Sequence, residues 1–193
     1  MISNAKDGRL LPWIDIETTG FTELDKQMVY QHRILEVAIV VTDEHFTIID
    51  RFCMVAHHPR EEVSELCDEV VTRMHSSSGL LAEVEASTNT LEQLERAAVD
   101  FLIAAGVSRK SAPMTGNGIG FDRMFIEAQM PVLNDHLHYR NLDISAVKEF
   151  IKTIAPGLEP TKKLAHRAMD DILESIAEAK HYRNLLLPAF TQP

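Results

Sequence analysis

Asp15 and Glu17 lie two residues apart in Trp13–Glu17, a segment whose β-branched and aromatic content predicts a strand. Side chains alternate across a strand, so both carboxylates leave one face while Ile14 and Ile16 leave the other, toward a core. Paired carboxylates can bind hard cations or move protons. A lone Asp-x-Glu in a strand is nevertheless more often the wet face of an amphipathic element. Thr18, Thr19 and Gly20 follow directly and put the pair at a strand end opening into a loop, where sites are commonly built.

A third acid, Asp122, follows the glycine-rich run Gly116-Asn117-Gly118-Ile119-Gly120 and opens a predicted helix, where aspartate is an ordinary N-cap. That run lacks the lysine of a P-loop and the downstream acid of a dinucleotide fold. His166 and Asp171 are five residues apart, which on a continuous helix leaves their side chains about 140° apart. For both to serve one site, His166 must sit in the loop or frayed turn before the helix. The chain has 9 histidines, so a single one carries little weight alone.

The elements that must position these groups follow from pattern. Trp13–Glu17, Ile34–Thr42 and Phe46–Val55 read as three consecutive strands in an antiparallel meander. The pattern turns helical from Val63. Thr90 with Gln93 forms a capping box ahead of Leu91, Leu94, Ala98, Phe101, Leu102 and Ala105, a helix stopped at Gly106. Pro113–Gly116 and Tyr139–Ile144 are further strands. Asp122–Met130, ended by Pro131, and Ser145–Ile154 are helices, and Ala168, Ile172, Ile176 and Ala179 mark the apolar stripe of a last one. This order describes an α/β fold with a mixed five-stranded sheet flanked by helices. At 193 residues the chain is expected to form one domain spanning 1–193, with short irregular termini at 1–10 and 188–193.

A hydrophobic share of 45% and a charged share of 25% fit a globular protein. The longest apolar stretch, Ile34–Val41, is broken by Glu36, and Met1–Leu11 lacks a basic segment followed by an apolar run. The expectation is no membrane span and no signal peptide. Cys53 and Cys67 form neither a disulfide framework nor a CxxC pair, which points to a reducing cytoplasm. The net charge of −10 argues against broad contact with long duplex nucleic acid, because such binding needs many phosphates neutralised by lysine and arginine.

The order Asp15, Glu17, Asp122, then His166 with Asp171 five on, resembles the DEDDh exonucleases. The stretches WIDIETTG, RMHSSSGLLAEVEAST, GNGIGFDRMFI, HYRNLDISAVKE and HRAMDDILESIAE resemble oligoribonucleases in order and spacing, from about Leu11 to Tyr182. The resemblance implies a ribonuclease H-like fold and 3′-to-5′ hydrolysis of short single-stranded RNA to mononucleotides. It implies that Asp15, Glu17, Asp122 and Asp171 hold two divalent ions, Mg²⁺ or Mn²⁺, with Asp171 preferred over the adjacent Asp170. His166 would be the general base, suited by its ordinary pKa to taking a proton from water at neutral pH.

By the same resemblance Phe21, His75, Tyr139, Arg140 and Ser145 would hold the terminal base and 5′ phosphate, and a homodimer would complete the pocket. Four positions depart from the family pattern: Phe21 replaces a leucine wedge, Val70 a tryptophan platform, Gly118 a serine and Phe121 a glutamine. They imply a divergent paralogue with altered length selectivity. Alternatives are a DEDDh enzyme acting on single-stranded DNA or RNA 3′ ends, and a noncatalytic binding protein that keeps the fold.

Overall fold

The computed structural model describes residues 8–20, 28–158, 160 and 167–191. Strands β1 (Leu11–Thr18), β2 (Ile34–Thr42) and β3 (Ile48–Val55) form the expected antiparallel meander, with the short helix α1 (Met28–Gln31) between the first two. β3 starts two residues later than the pattern suggests. Phe46 sits in a turn with φ of 63°, where it cannot continue a strand, and the Asp43 carboxylate accepts from the His45 and Thr47 amides.

Helices α2 (Arg60–Leu66), α3 (Glu69–Ser77), α4 (Leu80–Ala86) and α5 (Leu91–Ala104) follow. α5 carries the capping box: Thr90 Oγ1 accepts from Gln93 N at 3.2 Å, and Gln93 Oε1 from Thr90 N at 2.9 Å. Next come β4 (Pro113–Gly116), α6 (Gly120–Gln129), α7 (Pro131–His136), β5 (His138–Asp143), α8 (Ile144–Ile154) and α9 (Ala168–Thr191). Pro131 ends α6 as expected but also starts α7, because a proline at the first helical position gives up an N–H that would be unbonded anyway. α9 runs past Pro188 to Thr191, so the C-terminal irregular stretch is shorter than expected; the proline lies near the helix end, where few hydrogen bonds are lost.

The sheet order is β3-β2-β1-β4-β5, with β4 parallel to β1 and β5 parallel to β4. The expected mixed five-stranded sheet is therefore present, with β1 at its centre. One face packs Ile14, Ile16, Val37, Ile39 and Val41 against Leu94, Ala98 and Leu102 of α5 and Phe125 and Ile126 of α6. The opposite face packs Leu11, Trp13, Ala38 and Val40 against Ile144 and Ile151 of α8 and Ala168, Ile172, Ile176 and Ala179 of α9. Burying each such large side chain contributes roughly 1.5–3 kcal/mol before entropy is counted.

β1 is thus covered on both sides, and the face carrying Asp15 and Glu17 is not the wet face of an amphipathic strand. Its cross-strand pairs with β2 run Leu11 with Thr42, Trp13 with Val40, Asp15 with Ala38 and Glu17 with Glu36. The same face changes from apolar to acidic along one strand, and α9 covers both halves. No helix among the described residues is long and apolar enough to cross a membrane.

Candidate active site

Asp15, Glu17 and Asp171 bring one carboxylate oxygen each to within 4.8 Å of one another. The first two come from alternate positions on β1. Asp171 comes from the first turn of α9, one helical step from Ala168, which anchors the helix on the sheet. The stripe that packs α9 therefore also aims Asp171 at the acidic end of β1. Asp170 is exposed, so the structure brings Asp171 rather than its neighbour to the pair.

Asp122 enters from another direction. The expectation that it caps its helix is corrected: α6 begins at Gly120, and Asp122 is the third helical residue. Its Oδ1 accepts the backbone N–H of Ile16 at 3.1 Å. β4 ends at Gly116, alongside the first part of β1, and the Asp122 side chain supplies the acceptor that a longer neighbour strand would have given.

The electrostatics are those of anions packed without enough positive charge. Burial, then the charges of Asp122, Glu17, Asp171 and Glu36, hold the Asp15 carboxyl well above the ordinary range. Burial and the charges of Asp171, Glu36 and Asp122 push Glu17 up to about 8, with Arg167 opposing them. Burial lifts Asp122 to about 7 against the pull of the Ile16 N–H. Oxygens in one hard cation's shell, at metal–oxygen distances of about 2.1–2.5 Å, lie within about 4 to 5 Å of one another. The donor set, its spacing and its excess negative charge all fit divalent-cation binding.

Of the residues expected at the substrate, His75 is fully buried in α3, with Nε2 donating to Thr18 O at 2.9 Å and Nδ1 3.9 Å from Glu17 Oε2. It supports the end of β1 and faces the second acid. Ser145 opens α8, its amide bound by Asp143 Oδ1 at 2.9 Å, and its Oγ donates to Asn117 Oδ1 at 2.6 Å. Asn117 in turn donates to buried Glu178 at 2.6 Å. The serine's proton is committed inward in this arrangement. Tyr139, 74% exposed, and Arg140 lie on the edge strand β5, with the guanidinium 5.4 Å from the tyrosine ring centroid. Val70 is exposed near the start of α3, and Phe121 packs against the core and Phe125. Phe21 and His166 lie outside the described residues.

Sequence reasoning missed four contributors: Glu36, Arg167, Asn117 and Glu178. Only Glu36 left a signal, as the charge that breaks an apolar run. It is 1% exposed and accepts from Arg167 Nη2 at 2.7 Å and Ala168 N at 3.1 Å. The other three gain meaning only through partners distant in sequence.

The exonuclease family model, RNase T, matches residues 13–179. Oligoribonucleases of Corynebacterium diphtheriae and Acinetobacter baylyi are 44% and 40% identical to this chain. Each alignment covers 94% of it, and 85% and 96% of the respective relative. The chain belongs to the oligoribonuclease family. Its fold is that of the ribonuclease H-like exonucleases: Escherichia coli exonuclease I, solved in complex with a dT13 oligonucleotide, superposes with a TM-score of 0.67 at 15% identity. That match covers 94% of this chain and 42% of exonuclease I, so the chain spans less than half of that enzyme's length. Asp15, Glu17, Asp122 and Asp171 all lie within the region matched by the family model.

Proposed function

We propose that this chain is a metal-dependent 3′-to-5′ exoribonuclease that hydrolyses short single-stranded oligoribonucleotides to 5′-mononucleotides. The observation that carries the reading is the convergence of Asp15, Glu17 and Asp171, with Asp122 tethered between the first two, in a chain of this family. Asp15, Glu17, Asp122 and Asp171 hold two divalent ions, Mg²⁺ or Mn²⁺. Bound there, the ions supply charge stabilisation at the phosphate oxygens and activation of the attacking water.

The chain's own residues do the rest. His166 takes the proton from water on an imidazole nitrogen, as a positioned general base. Phe21 and Tyr139 offer rings for base stacking, Arg140 a guanidinium for phosphate, and Ser145 its hydroxyl oxygen. His75 braces the Glu17 end of β1. Residues 1–193 act as a single domain, and the chain works in the cytoplasm as a homodimer whose second subunit closes the pocket with the exposed edge of β5.

The test is the product pattern from 5′-labelled RNA and DNA of two to about ten nucleotides, with Mg²⁺, Mn²⁺ or EDTA. Stepwise loss of 3′ mononucleotides from RNA, abolished by EDTA, is expected. Preference for DNA would move the substrate to single-stranded DNA ends, and metal-independent cleavage would overturn the mechanism.

A further inference from the structure

Arg167 is the residue immediately before α9, and its contacts reach β2, α4 and the turn that precedes α4. Nη2 lies 2.7 Å from Glu36 Oε1 on β2, and Nε lies 3.3 Å from both oxygens of that carboxylate. Nη1 and Nη2 reach Glu83 Oε1 and Oε2 on α4 at 2.9 and 2.8 Å, and Nη1 also meets Ser78 O at 3.4 Å. This uses both edges of the guanidinium fork, a geometry a lysine cannot reproduce. The Glu36 carboxylate also acts on the backbone, because its Oε2 accepts the Ala168 N–H at 3.1 Å and so caps the start of α9 from across the sheet.

Two features connect this clamp to the acids. Glu36 pairs with Glu17 across β1 and β2, so the clamp is seated beside the second acid of the cluster. The Arg167 carbonyl accepts the Asp171 N–H at 3.0 Å, which places the clamp and the third acid on one helical turn. We infer that the Arg167–Glu36 pair is a positioning device for the metal centre: it fixes the start of α9 so that Asp171 meets Asp15 and Glu17 at coordination distance. The inference rests on the proposed metal-binding role of those acids. It assigns Arg167 no contact with substrate.

A charge-only role would be met by any cation, whereas placement requires the fork. The experiment is calorimetric titration of the metal-free chain with Mn²⁺, together with kcat and KM at saturating Mn²⁺, for wild type, Arg167→Lys, Arg167→Met, Arg167→Met with Glu36→Gln, and Asp15→Asn. Groups that orient metal ligands typically change metal affinity by about 10- to 100-fold when lost. Arg167→Lys is therefore expected to weaken Mn²⁺ binding by about 10-fold and lower kcat with KM little changed, and Arg167→Met to weaken it further.

The double substitution leaves no unpaired charge at position 36 and keeps an acceptor for the Ala168 N–H, so it is expected to fold even if Arg167→Met alone does not. Its Mn²⁺ affinity should stay below wild type although its melting temperature recovers. Wild-type affinity in Arg167→Lys or in the double variant would overturn the placement role. Wild-type Mn²⁺ binding in Asp15→Asn would instead sink the metal-centre reading itself, and the role assigned to Arg167 with it.

Discussion

The Asp122 carboxylate accepts the N–H of Ile16 at 3.1 Å, so the third acid is tied to the residue that lies between the first two. That oxygen serves the backbone, while the charge of the carboxyl is proposed to serve the cations. Asp122→Asn and Asp122→Ala should therefore separate the two roles. The asparagine variant keeps an acceptor and sheds a buried charge; it should melt no lower than wild type in EDTA yet hydrolyse no RNA. The alanine variant strands the Ile16 N–H and should lose about 1–3 kcal/mol of stability as well. Thermal melts and labelled-RNA assays on the pair check this, and equal stability of the two would show the tether to be idle.

Asp15→Asn, Glu17→Gln and Asp171→Asn should each lower hydrolysis by about 100-fold or more, since a ligand displaced by about 1 Å already costs that much. Asp170→Asn, an exposed change one residue away, should stay near wild type. Initial rates on a short RNA with Mg²⁺ decide the matter.

The raised carboxyls set a pH dependence of stability. Glu17 titrates near 8 and Asp122 near 7 in the folded chain, and Asp15 is also raised, whereas all three return to ordinary values near 4 on unfolding. Between these limits the folded state binds more protons than the unfolded one, so stability falls as pH rises. Their favourable contribution is complete below about pH 4 and is lost on passing through pH 7 to 8. The metal-free protein should melt several degrees lower at pH 8.5 than at pH 5.5, and Mg²⁺ should raise the melting temperature more at the higher pH, because it binds the deprotonated acids. A flat profile in EDTA would count against the buried charges.

His166→Ala should lower turnover by about 100- to 10,000-fold, the usual range for a positioned base, while Mn²⁺ binding measured by calorimetry persists. Loss of metal affinity with turnover preserved would reassign the residue.

Val70→Trp should restore a stacking surface on an exposed site of α3 and favour dinucleotides over five-nucleotide RNA by roughly 1–3 kcal/mol in kcat/KM. Gly118→Ser is a poorer probe than the sequence suggests. Gly118 has φ of +68°, where a side chain costs about 1–2 kcal/mol of backbone strain. An unchanged length preference in Val70→Trp would remove this position from substrate selection.

Local pattern makes much of this legible. The meander, the capped helix after Thr90 and the strand that carries Asp15 and Glu17 follow from alternation, periodicity and turn chemistry acting over a few residues. The family pattern in turn proposes Asp15, Glu17, Asp122 and Asp171 as ligands, in order along the chain. Asp122 reads as a cap in the sequence but lies inside α6, which starts two residues earlier at Gly120.

The environment of those acids is decided by tertiary structure alone. β1 alternates in a way that suits a solvated face, and only the packing of α9 over that face buries the carboxylates and raises their proton affinity. Glu36 looks like a flaw in an apolar strand until Arg167, 131 residues later, closes on it. His75 looks like a surface donor until α3 buries it beneath Thr18. Sequence determined which groups were available and on which face of each element they stood. How close they came, and what they cost to keep charged, depended on long-range burial and pairing that no local pattern encodes.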